Sequence, residues 1–100
     1  MFIISLTYIK PLEEVDALLE DHIEYLEEQY RLGNFLASGR KVPRKGGVIL
    51  ALAVSREEVE TIITLDPFYR HQVASYEITE FTPTMTSDAL AFLLEDVKMS

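Results

Sequence analysis

The chain has 100 residues, with 17 acidic against 9 basic side chains and a formal net charge of −8. One domain is the most such a length supports, and the acidic balance argues against nucleic acid or an acidic membrane surface as a partner, since both are bound chiefly through Lys and Arg. There is no cysteine, so disulfides, thiolate metal sites and thiol nucleophiles are excluded by count, while 48% hydrophobic residues suffice for a folded core.

In chain order, Phe2 to Ile9 is rich in Ile, Phe and Tyr and stops at Lys10-Pro11, which predicts a first strand. Met1 leads straight into it without a basic run, and no apolar stretch approaches the roughly 18 residues of a membrane span. A cytoplasmic protein is therefore expected. From Glu13 to about Leu32 the spacing becomes helical. Steps of about 100° per residue gather Asp16, Glu20, Glu24, Glu27 and Arg31 on one side. Val15, Leu18, Leu19, His22, Tyr25, Leu26 and Gln29 fall on the other, with His22 at its centre.

Gly33-Asn34 ends this helix. Phe35 to Gly39 predicts a short second strand, followed by a basic turn from Arg40 to Gly47. Val48 to Val54 is an unbroken apolar run, the pattern of a strand buried on both faces. Ser55 and Glu58 form a capping box for a second helix with Val59, Ile62 and Ile63 as its apolar stripe, and Asp66-Pro67 stops it. His71 to Phe81 predicts the last strand, Thr82-Pro83-Thr84 closes it, and Ser87 caps a third helix from about Asp88 to Val97.

This order predicts an α+β protein with a ferredoxin-like βαββαβ sandwich over residues 1–82 and a C-terminal helical extension over residues 83–100. Its helices cover one face of the sheet, yet the 48–54 run points apolar side chains both ways. A second copy would cover the open face and make a homodimer of two facing sheets. The alternative cover is the C-terminal helix, through Leu90, Phe92, Leu93 and Leu94.

Candidate chemistry centres on His22, an imidazole on the buried side of a helix. It reads either as a core histidine bonded to a carbonyl or as a general base, and a base needs an orienting partner. Asp66 is the candidate, since a carboxylate at a helix end before proline is fixed in direction and can accept the Nδ1 proton. The basic segment Arg40 to Lys45 reads either as a solvated turn or as the holder of a carboxylate or phosphate. Gly46-Gly47 lacks the spacing of a nucleotide-binding loop. His71 is a second possible acid or base, and Tyr8, Tyr25 and Tyr76 read as core or pocket wall. A metal held by His22, Asp66 and His71 is conceivable, although their spacing is not that of a ligand cluster.

Several of these features, in this order, resemble the YciI-like (YCII-related) family. They are His22 in the first helix, Gly33 at its end, Ser38-Gly39 after the second strand and Gly46-Gly47 before an apolar strand. Ser55-x-Glu57-Glu58, Asp66-Pro67-Phe68 and the closing Glu80-Phe81 complete the set, which spans about residues 1 to 82. The resemblance implies a dimeric α+β barrel with a pocket beside a His-Asp pair, here His22 and Asp66. It further implies acid-base chemistry on a small cyclic or aromatic compound. Ser38, Gly39, Arg40, Phe68 and Tyr8 are the candidate substrate-binding residues, and no metal or cofactor is expected. The sequence departs from the family pattern at Arg40, where proline is usual, and at Leu19, where arginine is often found.

Overall fold

Strand β1, Phe2–Tyr8, is the centre of the architecture because its alternation is clean: Phe2, Ile4 and Leu6 are buried while Ile3 and Ser5 point to the opposite face. The computed structural model describes residues 1–53 and 55–94. After β1 come two helices, α1 Leu12–Ala17 and α2 Leu19–Arg31, then strands β2 Phe35–Arg40 and β3 Gly46–Ala51. Helices α3 Arg56–Ile63 and α4 Pro67–Arg70, strand β4 Ala74–Glu80 and a 3₁₀ helix at Asp88–Leu94 complete the chain. The sheet order is β2-β3-β1-β4 with every neighbouring pair antiparallel. That is the ferredoxin-like split βαβ arrangement, α+β as expected.

The register fixes the two faces. Ile4 lies opposite both Ile49 and Ile78, and Leu6 opposite Gly47 and Tyr76, on the face that the helices cover. Ile3, Val48 and Leu50 share the other face and are half-buried. On the helix side the core closes with Val15, Tyr25, Val59, Ile62, Ile63 and Phe68. Both glycines before the apolar run belong to β3. A Cβ on Gly46 would sit 1.8 Å from the Leu6 carbonyl oxygen, so only glycine lets the strands approach there.

Four boundaries differ from the sequence reading. The helix expected from Glu13 to Leu32 is two helices, because the Leu18 N–H bonds Val15 O three residues back and the chain there relaxes to φ −104°, ψ −2°. The predicted faces survive the break: Val15, His22, Tyr25 and Gln29 are buried, and Asp16, Glu20, Glu24, Glu27 and Arg31 are exposed. The apolar strand spans Gly46–Ala51 rather than residues 48 to 54, and Val54 lies outside the described residues. Asp66-Pro67 begins a helix instead of merely ending one, so β4 starts at Ala74 and His71 sits at the end of α4, exposed.

The predicted third helix is a 3₁₀ turn over its described part, and Val97 lies outside the described residues. Ser87 starts it by accepting the Leu90 N–H through its backbone carbonyl at 3.0 Å. Leu93 is buried, yet Leu90 and Phe92 remain 46% and 48% exposed. No helix among the described residues is long and apolar enough to cross a membrane.

Candidate functional site

The segment Asp66-Pro67-Phe68 places three different functions in three residues. Asp66 is extended at φ −72°, ψ 127° and caps α4 by accepting the Phe68 N–H on Oδ1 at 3.0 Å. Pro67 occupies the first helical position, where its missing N–H costs nothing and its fixed φ favours the turn. Phe68 then projects into the core and stacks on the His22 ring, centroids 3.9 Å apart and planes within 4°. Helix α2 supplies the histidine from above the sheet, with its buried face at His22 and Tyr25.

His22 Nδ1 lies 2.8 Å from Asp66 Oδ1. Asp66 is wholly buried, and its second oxygen accepts the Tyr76 hydroxyl at 2.6 Å. Each carboxylate oxygen is thus engaged as an acceptor, so the hydrogen of the His22–Asp66 contact belongs to Nδ1. In the neutral imidazole this leaves the lone pair on Nε2. No buried side-chain nitrogen or oxygen among the described residues lacks a partner. Nε2 has no hydrogen bond among them, and His22 lines a cavity, so this atom faces open space.

That cavity, about 280 Å³, lies between α2, β1 and the β2-β3 hairpin. Leu6, Leu19, Ile23, Leu26, Ile49 and Phe68 form apolar walls. The polar groups are few: His22, Tyr8, Ser38 and Arg40. Such a site, small and apolar with a few convergent polar groups, suits a single-ring molecule. Ser38 shares a 2.6 Å hydrogen bond with the Tyr30 hydroxyl, which ties β2 to α2. Arg40 is two residues further along β2 on the same face, and its side chain has no ion pair or hydrogen bond among the described residues. It also lines the adjoining cleft of Tyr8, Asp16, Leu19 and Arg44, where Arg44 pairs with Asp16 and lies 5.9 Å over the Tyr8 ring.

The structure therefore gathers Tyr8, His22, Ser38, Gly39, Arg40 and Phe68 around one cavity, with Asp66 directly behind the histidine. His71 is not among the residues lining it. Among the described residues no group of three His, Cys, Asp or Glu side chains is arranged to hold a metal. Tyr76 is a site neighbour that the sequence reading places only as core or pocket wall. The available signal was its alternation with Ala74 and Ile78 in β4, which aims all three at the helix side. Burial, and next the Asp66 charge, push the Tyr76 phenol far above its ordinary range, and burial does the same for Tyr25, whose hydroxyl donates to Ile62 O at 2.9 Å. Both phenols stay protonated, hence donors.

Fold and cavity together define a ferredoxin-like α+β protein with a walled chamber on the helix side of its sheet. The chain belongs to the YCII-related domain family, whose profile matches residues 1–82. Among solved structures it is similar to the 5-chloro-2-hydroxyhydroquinone dehydrochlorinase TftG from Burkholderia phenoliruptrix AC1100, in complex with 2,5-dihydroxybenzoquinone. The TM-score is 0.68 at 17% identity, covering 81% of this chain and 93% of that one, a likeness of fold. No curated protein matches the chain.

Proposed function

We propose that this protein is a small cytoplasmic homodimer that performs acid-base chemistry on a single-ring cyclic or aromatic compound, in a lyase, isomerase or dehalogenase type of step. The carrying observation is the 2.8 Å contact of His22 Nδ1 with buried Asp66 beside an apolar cavity that His22 lines, with Nε2 the ring nitrogen that has no hydrogen bond among the described residues. In this reading Nε2 takes a proton from a ring carbon or hydroxyl. The released electron pair moves into the ring, and where the ring carries a halogen, halide leaves with its bonding pair, a net loss of HX. The activity and ligand of the solved relative support this reaction class. Arg40, exposed and without a side-chain ion pair among the described residues, favours a ring bearing an anionic group, with Tyr8, Ser38, Gly39 and Phe68 shaping the ring's seat.

Thermal-shift screening of single-ring acids, phenols and quinones, with 2,5-dihydroxybenzoquinone and 5-chloro-2-hydroxyhydroquinone included, tests the proposal when followed by mass spectrometry of each hit. The expected result is a stabilising compound that is also converted. Stabilisation without conversion would instead assign a ligand-binding module, because binding alone raises the melting temperature by mass action.

The dimer rests on the open sheet face. Ile3, Val48 and Leu50 point away from the helices and are only half-buried, while Leu90 and Phe92 are about half exposed. Each large apolar side chain gains roughly 1.5–3 kcal/mol on burial. A second sheet placed by an isologous two-fold axis supplies that burial and encloses a barrel, with residues 83–100 as an extension beside the 1–82 domain. Light scattering at micromolar concentration should give a mass of about 23 kDa, twice the chain's 11.4 kDa. A stable 11.4 kDa species would contradict the dimer.

A further inference from the structure

The hydrogen bond from Tyr76 to Asp66 extends the His22 contact by one more link, and nothing in the chemistry proposed above requires it. Asp66 presents two oxygens with no exposure to solvent. Oδ1 is shared by the Phe68 N–H and His22 Nδ1, whereas Oδ2 has the Tyr76 hydroxyl as its donor, at 2.6 Å. Tyr76 reaches it from β4 and is not among the residues lining the cavity. Its ring packs edge-on to Tyr69 with centroids 5.7 Å apart. A phenol used only for packing needs no bond to a buried anion.

We propose that Tyr76 is a positioning residue that acts on His22 through Asp66. By satisfying Oδ2 it holds the carboxylate as a two-oxygen acceptor with fixed rotation, and so keeps the His22 hydrogen on Nδ1 and the lone pair on Nε2. This role rests on the reading of His22 as the base. Without the hydroxyl, Oδ2 is a bare buried anionic oxygen, which either takes a proton or swings toward another donor. In both cases the acceptor facing Nδ1 weakens, and the imidazole hydrogen redistributes toward Nε2, the atom that must be free to accept a proton.

The test is Tyr76→Phe, which keeps the ring and removes only the hydroxyl. The chain has two histidines, so long-range nitrogen-proton NMR spectra of the ¹⁵N-labelled protein, at a pH where the imidazole is neutral, give two patterns, assigned with His71→Gln. The unsubstituted protein should show His22 in the Nδ1–H form. In Tyr76→Phe the ratio of Nδ1–H to Nε2–H should fall about tenfold, the difference between a charged and a weakened acceptor. Tyr69→Phe, a hydroxyl-removal control in the same ring pair, should leave the ratio unchanged. An unchanged ratio in folded Tyr76→Phe overturns the proposal.

Should that variant fail to fold, 3-fluorotyrosine at position 76 keeps the ring and alters the hydroxyl's acidity. A moved His22 Nδ1–H proton resonance then supports the role, and an unmoved one overturns it. None of these readouts needs a substrate, so their failure removes the role of Tyr76 alone. Turnover retained without His22 would remove the acid-base reading with the Tyr76 contact intact.

Discussion

Asp66→Ala is expected to destabilise the fold by about 3–5 kcal/mol, because it leaves three buried donors without their acceptor at about 1–3 kcal/mol each. The carboxylate is wholly buried and accepts from His22 Nδ1, Phe68 N–H and Tyr76 hydroxyl at 2.8, 3.0 and 2.6 Å. Alanine strands all three donors and uncaps α4. That is a large share of the total for a domain whose stability is on the order of 5–15 kcal/mol. Asp66→Asn should cost less, because its carbonyl still accepts from Phe68 and His22 while the Tyr76 hydroxyl turns to accept from the amide. Urea denaturation measures both. A change under about 1 kcal/mol for Asp66→Ala would mean that the three bonds are not made in solution.

His22→Ala should leave the fold standing and reduce turnover of any compound found to be converted by about 10²–10⁴-fold, the usual contribution of one general acid-base group. The fold tolerates the change because Asp66 retains the Phe68 and Tyr76 donors. The effect should fall on kcat, with KM nearly unmoved, since Leu19, Ile23, Leu26 and Phe68 still wall the cavity. His22→Asn, which keeps a polar group at the position, should be as inactive. Full turnover in either variant would reduce His22 to a stacked core residue bonded to a carboxylate.

The sheet order follows from a sequence with clear punctuation. Gly33, at φ 80°, ends α2 where the glycine predicted it, and Ser55 caps α3 by accepting the Glu58 N–H at 3.2 Å. His22 was legible because helical spacing puts it among Val15, Tyr25 and Leu26 whether or not the helix breaks earlier. The break at Leu18 was not legible: no proline or glycine marks it, and the tightening is a matter of one backbone hydrogen bond. The pairing of His22 with Asp66 joins residues 44 positions apart, so it rested on chemical complementarity and on the family resemblance, and distance in three dimensions was needed to see it. Tyr76 lacked even that support, because a tyrosine in a strand carries the same pattern whether its hydroxyl meets water or a buried carboxylate.

The most direct measurement is a crystal structure with a converted or tightly bound ring compound. The ring should lie against Phe68 between α2 and β3, with a proton-bearing atom within hydrogen-bond reach of His22 Nε2 and any anionic substituent toward Arg40. A compound seated instead in the cleft of Glu57, Thr61, Tyr69 and Tyr76, away from the imidazole, would contradict the assignment of the cavity as the functional site.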